Sequence, residues 1–392
     1  MKSANGARRR GPYVLAGAMI LMFVLAGLLS TALHHPGYTA GPDAQSPYGT
    51  AGASASPSRA SPEGRDPGAG PGAEGGSMSA AALSARPGQG PVPAAAVLEC
   101  PTATTTARSN AELSAALARA NPGDVIVLAD GTYSGNFTAD RPGTPANRIY
   151  LCGGAGAVLD AGTTGTGYVL HLDHADYWVV SGLTVRNGQK GVVADTVQGA
   201  VLERLTVTGT GQEGIHLRRN SSGNVLIANT VNNTGKDTPE YGEGIYVGTA
   251  VGNWCELTDC RPDESNFNVI AGNTIAATTS ENVDVKEGTI GGVISGNTFS
   301  GSGMTDADAW VNVKGNAWTI EANTGTGSPR DGFQTHNILQ GWGDHNLFRS
   351  NTATISAHGT AIAATPPMNN TVACSNKFLG PGRLSNIKCT GP

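Results

Sequence analysis

Polar and apolar positions alternate with a period of two in short runs along this chain, and the runs recur at regular intervals. The segment 227–231 (Ile-Ala-Asn-Thr-Val) is one example, and the equivalent of its third residue lies at positions 183, 205, 229, 273, 297, 323 and 351. The steps are 22, 24, 44, 24, 26 and 28 residues; the step of 44 has the length of two ordinary steps and contains Cys255 and Cys260. This period, with glycine and asparagine at the corners, predicts one coil of a solenoid per repeat.

The repeats predict strands rather than helices. They are rich in valine, isoleucine and threonine with period two instead of 3.6, and they lack the recurrent leucine framework of leucine-rich repeats. A parallel β-helix fits this pattern, with asparagine amides stacked at the strand spacing of about 4.8 Å. An alternative is that these asparagines only form turns. The asparagines concerned are Asn229, Asn273, Asn297, Asn323 and Asn351.

The N-terminal mouth of such a solenoid needs a cap, because its strand edges are unpaired. Residues 110–112 (Asn-Ala-Glu) are a favourable helix start, Leu113 and Leu117 share one face, and 122–123 (Pro-Gly) ends the pattern. We expect a short capping helix here, followed by a first strand at Val125–Leu128.

The first 33 residues predict an export segment. Lys2 and residues 8–10 (three arginines) precede an uncharged stretch from Gly11 to Leu33. Its apolar run of about 20 residues is longer than a cleaved signal needs and close to a membrane span, yet 30–32 (Ser-Thr-Ala) offers small residues for cleavage. We expect either a signal peptide or an uncleaved signal anchor in 1–33, and a location outside the cytoplasm.

Residues 34–97 predict a disordered linker. They hold 10 of the 22 prolines, with abundant alanine, glycine and serine and no apolar period. Such a segment cannot bury enough surface to offset the entropy of ordering. The folded domain is therefore expected at 98–392.

All six cysteines follow the linker. An even number in an exported chain favours disulfides over metal ligation, although six cysteines allow 15 pairings. We expect the pairs that would each staple one region: Cys100–Cys152, Cys255–Cys260 and Cys374–Cys389.

Charge limits the choice of partners. With 25 basic and 30 acidic side chains the net charge is −5, which is no electrostatic footprint for DNA or RNA. We expect a monomer that binds no nucleic acid and that contacts a membrane only through residues 1–33, if these are retained.

The strands before the asparagine segments also align, for example Gly214–Arg218 with Gly244–Gly248. Their apolar positions alternate with polar ones, so the polar side chains are predicted to point outward. One outward column reads His216, Tyr246, Asp284, Asn312, Gln334; a second reads Arg218, Gly248, Lys286, Lys314, His336; the preceding corner carries Glu213, Glu243, Glu281, Asp308 and Asp331. We expect residues 284, 286, 312 and 314 side by side on an exterior wall.

Acids beside bases on one face suit an acidic, uronate-containing polysaccharide. β-Elimination removes the C5 proton of a uronate, which is weakly acidic until the adjacent carboxylate is neutralised, and a calcium ion can neutralise it. Lys286 and Lys314, about 5 Å apart, would lower the pKa of a lysine base by up to about two units. Asp284 and Glu281 oppose that shift, and calcium binding to them would restore it.

From Asn121 onward the chain resembles the right-handed parallel β-helix proteins of the pectin-lyase-like superfamily, through 122–124 (Pro-Gly-Asp) and the asparagine column. Residues 281–286 (Glu-Asn-Val-Asp-Val-Lys) are similar to a segment of polysaccharide lyase family six, in which an acidic calcium ligand precedes the lysine base by five residues. This resemblance implies a calcium ligand at Glu281, a base at Lys286, and Lys314 at the place of that family's arginine acid.

The sequence thus predicts an all-β, right-handed parallel β-helix that cleaves an acidic polysaccharide by elimination. The predicted catalytic residues are Lys286, Lys314 and Arg218, and the predicted calcium ligands are Glu281, Asp284 and Glu243. The predicted substrate contacts are Trp310, as a stacking platform, with Tyr246, Asn312 and His336. The alternatives are a non-catalytic glycan-binding or cell-surface protein, and a hydrolase or epimerase on the same fold.

Overall fold

The computed structural model describes residues 97–355 and 358–391. The export segment predicted at 1–33 and the linker predicted at 34–97 lie outside these residues, except for Val97. Within the described part of the chain, no helix has the length and apolar character needed to cross a bilayer.

Three parallel sheets wind into a β-helix of the right-handed type, and each full coil contributes one strand to each sheet. Sheet A has eleven strands: Thr105–Ala107, Val125–Leu128, Ile149–Cys152, Trp178–Ser181, Val201–Glu203, Val225–Ile227, Val269–Ala271, Val293–Ser295, Thr319–Glu321, Leu347–Arg349 and Thr371–Val372. Sheet B has ten: Gly131–Ser134, Ala157–Asp160, Thr184–Arg186, Thr206–Thr208, Thr230–Asn232, Thr274–Ala276, Thr298–Ser300, Thr324–Thr326, Thr352–Thr354 and Lys377–Leu379. Sheet C has ten: Phe137–Ala139, Tyr168–Asp173, Lys190–Asp195, Ile215–Arg218, Ile245–Val247, Val283–Val285, Ala309–Val313, Asp331–Thr335, Thr360–Ala363 and Arg383–Ser385.

The interior is filled by one or two apolar side chains per strand, stacked coil on coil. In sheet A, Leu226 pairs in register with Ile270, and Ile270 with Ile294, and all three are fully buried. Because side chains alternate across a strand, their neighbours in sequence point outward. The apolar period therefore determines which polar residues face away from the core.

The predicted asparagine ladder is confirmed at the turn between sheets A and B. The amide oxygen of Asn297 accepts from the backbone N–H of Asn273 at 2.8 Å, and its amide nitrogen donates to the Ile270 carbonyl at 2.9 Å. Asn376 extends the ladder beyond Asn351. The step of 44 residues is a single coil with an insertion, because Asn229 bonds directly to Asn273.

The residue before each ladder asparagine from Asn229 to Asn351 adopts a left-handed conformation. Gly272 has φ 63°, but Ala228 and Ala322 have φ 55° and 54° without the freedom of glycine. A non-glycine residue held there costs on the order of 1–3 kcal/mol and persists only where its surroundings determine the backbone. The hydrogen bonds of the asparagine ladder hold the backbone in this conformation.

The capping helix is confirmed at Asn110–Ala118, where the Ser109 side chain accepts from the Glu112 backbone N–H. Leu113 and Leu117 are its buried residues. The expectation of a first strand at Val125–Leu128 is wrong, because Thr105–Ala107 precedes it and pairs with it. The remaining helices are short: Trp254–Leu257, and the 3-10 turns Pro239–Tyr241 and Val251–Asn253.

The three expected disulfides are confirmed. Cys100–Cys152 fastens the start of the domain to sheet A, Cys255–Cys260 closes the insertion, and Cys374–Cys389 joins the last coil to the C-terminal segment. No described cysteine is free.

Replacing Asn297 by alanine tests the ladder. It removes the acceptor of the Asn273 backbone and side-chain N–H groups and the amide donor to the Ile270 carbonyl, so we expect a loss of about 3 kcal/mol in the free energy of unfolding. Urea denaturation measures it. The control is Asn147→Ala, an exposed asparagine that bonds Thr144 through its backbone, for which we expect a loss below about 0.5 kcal/mol. Equal losses in the two variants would contradict the role of the ladder.

Candidate active site

The predicted outward column forms on sheet C. Backbone pairing places its members opposite one another in the order His216, Tyr246, Asp284, Asn312 and Gln334. Lys286 and Lys314 follow their strands in register, since the Lys314 N–H donates to the Val285 carbonyl at 2.8 Å. The prediction that residues 284, 286, 312 and 314 share one wall is confirmed.

These side chains are not solvated, and the expectation of an exposed wall is wrong. Asp284 is 1% exposed, and Asn312 and Lys314 are each 8% exposed. Opposite charges pack against each other here and replace water as partners. Lys286, Tyr246 and His336 are the partly exposed members of the cluster, so contact with a ligand runs through them.

Asp284 holds two ammonium groups. Its Oδ2 lies 2.6 Å from Lys286 Nζ and its Oδ1 lies 2.6 Å from Lys314 Nζ. Burial raises the pKa of Asp284, but the two lysines more than offset that effect and bring the pKa to about 2. The carboxylate is therefore charged at neutral pH, and it accounts for the approach of the two cations.

Of the two opposing effects predicted for the lysine pKa, the one from Asp284 prevails over the repulsion between the lysines. Burial lowers the pKa of Lys286, but Asp284, with smaller contributions from Tyr246 and Glu243, raises it well above its ordinary value. The negative charge of Asp284, which lies between the two lysines, outweighs the repulsion of one lysine by the other. Lys286 is thus an ammonium cation at neutral pH, which is unsuited to accept a proton.

Tyr246 lies directly beside this ion cluster. Lys286 Nζ lies 4.8 Å from the centre of its ring, and the His216 ring packs edge to face at 4.4 Å. Among the described residues, no group hydrogen-bonds the Tyr246 hydroxyl. Burial raises the pKa of Tyr246 well above its ordinary value, while the Lys286 cation acts in the opposite direction.

Three buried carboxylates, Glu243, Glu281 and Asp284, have oxygens within 4.8 Å of one another, a spacing that could hold a metal ion. Both oxygens of Glu281 already accept hydrogen bonds, from Asn312 Nδ2 and Ser280 Oγ. Both oxygens of Asp284 face lysines.

Glu243 differs from the other two carboxylates because its Oε2 is buried without a hydrogen-bond partner. Burial and then the neighbouring carboxylates Glu213, Glu281 and Asp284 raise its pKa well above the ordinary value, which favours the protonated form. Calcium requires six to eight oxygen ligands. Ammonium, amide and hydroxyl donors already contact the oxygens of Asp284 and Glu281, whereas Glu243 still offers an oxygen that no donor contacts.

His336 ends the cluster. Its Nε2 lies 2.8 Å from Gln334 Oε1 and 3.3 Å from Asn312 Oδ1; both oxygens only accept, so the proton lies on Nε2. Burial, followed by the charge of Lys314, lowers the pKa of His336 to about 4. It is a neutral imidazole at neutral pH.

Trp310 is not a sugar platform, and that prediction is wrong. It is fully buried, with its ring centre 5.7 Å from that of Phe333. The space for it comes from two glycines, since a Cβ on Gly325 would lie 2.4 Å from the indole and one on Gly332 would lie 2.7 Å from it. Strict alternation from the buried Val311 and Val313 would instead place Trp310 outward.

Arg218 lies apart from the lysines, since the Ile245–Val247 strand separates its strand from that of Asp284. Its guanidinium makes two contacts with Asp195, at 2.6 and 3.0 Å, and donates to the Tyr168 hydroxyl at 3.0 Å. The structure does not bring this predicted catalytic residue together with Lys286.

The insertion after Val247 packs beside Lys286. A Cβ on Gly288 would meet the backbone of Asp263 at 2.9 Å and the Trp254 indole at 3.2 Å. Asp263 fixes the insertion by accepting from the backbone N–H groups of Arg219 and Asn220. The insertion is therefore a fixed wall against the loop that follows Lys286.

Sequence reasoning missed Lys190 and Ser280 as the partners of Glu213 and Glu281. Lys190 pairs with Glu213 across adjacent strands, and Ser280 donates to Glu281. Lys190 was detectable, because its strand Lys190–Asp195 lies one repeat before Ile215–Arg218.

Asp284 and its ion pairs with Lys286 and Lys314 are called the clamp below. The variant Asp284→Asn tests it. Two buried ammonium groups lose their counter-charge, so we expect a loss of about 3 kcal/mol in the free energy of unfolding at neutral pH. The depressed pKa of Asp284 adds about 2 kcal/mol of stability that is complete above about pH 4 and is lost as the pH falls through about 2.

Acid denaturation of the two proteins checks both parts. We expect the stability of the variant to change less between pH 4 and pH 2 than that of the parent chain. Parallel stability curves across that interval would contradict the clamp.

The comparisons with known proteins agree with this fold. No family model matches the chain, and no curated protein matches it. The crystal structure of an alginate lyase from Paenibacillus sp. str. FPU-7 matches with 34% identity and a TM-score of 0.69, over 72% of this chain and 98% of that one.

Two more distant structures share the fold. Pectate lyase Pel9A matches with 17% identity and a TM-score of 0.56, over 74% of this chain and 81% of that one. A polygalacturonase from Erwinia carotovora ssp. carotovora matches with 12% identity and a TM-score of 0.51, over 76% and 100%. The predicted relation to pectin-lyase-like β-helix proteins is confirmed. The chain is a polysaccharide lyase and belongs to the family of the Paenibacillus alginate lyase.

Proposed function

We propose that this lyase cleaves alginate by β-elimination without a metal ion. The observation that carries the proposal is the pair of ammonium groups at 2.6 Å from Asp284, beside the Tyr246 hydroxyl, which has no hydrogen-bond partner among the described residues. The substrate is supported by the name of the 34% identical relative, an alginate lyase.

Neutralising the uronate carboxylate is the first requirement, because the C5 proton is otherwise too weakly acidic. Preorganised cations in a site with little water stabilise developing negative charge more strongly than the same cations in solution. Lys286 and Lys314 are such cations, and Lys286 is exposed enough to meet a substrate carboxylate. We assign the neutralising role to these two lysines, with Asn312 and His336 as polar contacts for the sugar.

Tyr246 is the proposed proton-transfer group. Its phenolate oxygen takes the C5 proton, and the electron pair of that C–H bond forms the C4–C5 double bond. The bond from C4 to the leaving oxygen breaks, and the new phenol returns its proton to that oxygen. The tyrosine thus ends as the phenolate it began as, and the products are an unsaturated uronate and a new chain end.

Tyr246→Phe tests the assignment. Removing a group that transfers the proton lowers kcat by about 10²–10⁴. The measurement is the ultraviolet absorbance of the unsaturated uronate released from alginate. Tyr241→Phe is the control, because Tyr241 is 53% exposed on the neighbouring turn and lies outside the ion cluster.

The pH profile separates tyrosine from His336, the second candidate base. The phenolate is scarce at neutral pH because the pKa of Tyr246 is raised, so we expect kcat/KM to rise about tenfold per pH unit toward alkaline pH. With His336 as base, kcat/KM would level off above its pKa of about 4. A plateau from pH 6 to 9 together with an active Tyr246→Phe would contradict our assignment.

Chelation tests the metal-free part of the proposal. Because lysines occupy the oxygens of Asp284, we expect kcat/KM on alginate to stay unchanged after dialysis against EDTA and on addition of calcium. The control is a calcium-dependent pectate lyase treated in parallel. Loss of activity in EDTA that calcium restores would show that a metal ion supplies the neutralising charge.

We also propose that the domain acts outside the cytoplasm as a monomer. Three disulfides support an oxidising compartment. The charged stretch and apolar run in residues 1–33 support export, with the membrane as a partner if that segment is retained.

A further inference from the structure

A second buried ionic array lies on sheet C, next to the tyrosine and on the opposite side from the lysine pair. Lys190 Nζ pairs with Glu213 Oε2, and Glu213 Oε1 lies 3.3 Å from His216 Nδ1. The side chains of Lys190, Glu213 and His216 are 12%, 6% and 6% exposed. Burying such groups is weak evidence for stability, because desolvation offsets much of the attraction. The proton transfer described above does not use this array.

A hydrogen bond at one ring nitrogen fixes His216, while the other nitrogen lies beside Glu213 without a hydrogen bond. Nε2 lies 3.0 Å from the Gly248 carbonyl oxygen, which can only accept, so the proton lies on Nε2. Nδ1 faces Glu213. Gly248 directly follows the strand Ile245–Val247, so His216 also secures the end of the strand that carries Tyr246.

His216 in turn contacts the tyrosine ring. The two residues are register partners on adjacent strands, and their rings meet at 76° with centres 4.4 Å apart. On the next strand Lys286 Nζ lies 4.8 Å from the centre of the same ring. Tyr246 is therefore held between an imidazole and an ammonium group.

We propose that His216 is a positioning residue for Tyr246, held by its hydrogen bond to the Gly248 carbonyl and packed beside the Glu213–Lys190 ion pair. This inference rests on the proposed proton transfer by Tyr246. The hydroxyl has no hydrogen bond to another described residue, so contacts with the ring determine where its oxygen lies. A displacement of about 1 Å at a reacting atom can cost about 10²-fold in rate.

The test compares three replacements of His216. Leucine removes both the ring and the donor to Gly248; phenylalanine keeps a ring, and glutamine keeps an amide donor. We expect His216→Leu to lower kcat on alginate about 10- to 100-fold with KM changed less than about twofold. His216→Phe and His216→Gln should each recover part of that loss.

His171→Leu is the matched control. His171 lies in the same outward column two strands away, contacts Asp195 at 2.9 Å, and meets the Tyr168 ring edge to face at 5.3 Å. It has the same kinds of contacts but none with Tyr246. We expect its kcat and KM to match the parent chain.

A double-mutant cycle with Tyr246→Phe decides whether His216 acts through the tyrosine. We expect His216→Leu to cause no further loss of residual activity in the Tyr246→Phe background. Additive losses, or an unchanged kcat in His216→Leu, would overturn the positioning role while leaving Tyr246 as the catalytic group. Full activity of Tyr246→Phe alone would overturn both assignments. If His216→Leu fails to fold by circular dichroism, the same cycle with His216→Gln decides the question.

Discussion

The parallel register of the coils is the constraint on which the site depends. Consecutive strands of one sheet lie about 4.8 Å apart, so residues at equivalent positions become neighbours whatever their separation in sequence. The asparagine ladder and the stacked apolar interior maintain that register from two sides of each coil. On sheet C it brings Lys286 and Lys314, from different coils, within 2.6 Å of a single carboxylate.

This clamp changes the chemistry expected of the lysines. Two cations without a counter-charge would repel each other and one of them would release its proton readily. With Asp284 between them, Lys286 stays charged and can only neutralise negative charge on a ligand. The same contacts occupy the carboxylate oxygens that a calcium ion would need. Proton transfer then requires a different group, and Tyr246 lies beside the cations with a hydroxyl that no described residue engages.

Much of the fold could be predicted from the sequence because it follows from local spacing. The repeat length, the inward and outward alternation and the pairing of nearby cysteines each depend on few residues. The strand Thr105–Ala107 was missed because three residues carry no periodic pattern. Trp310 was misplaced because the space that it fills is created by Gly325 and Gly332, which lie in other strands.

The sequence could predict which residues form the site, but not their charge states and pKa shifts. Register determined that Asp284, Lys286 and Lys314 are neighbours, and a one-dimensional pattern carries that information. The direction of the lysine pKa shift depends on where the charged ends of three long side chains meet and on how little water reaches them. Lys190 and His216 acquire their importance in the same way, through contacts that cross two coils.

The charge state of Lys286 tests the central claim most directly. Its side-chain pKa can be measured by nuclear magnetic resonance on protein with 13C-labelled lysine ε-carbons, with Lys286→Arg used to assign the signal. We expect the Lys286 resonance to remain that of an ammonium group beyond the pH at which the exposed lysines of the chain titrate. A Lys286 that titrates below its ordinary value, toward neutral pH, would contradict the clamp and restore lysine as the base.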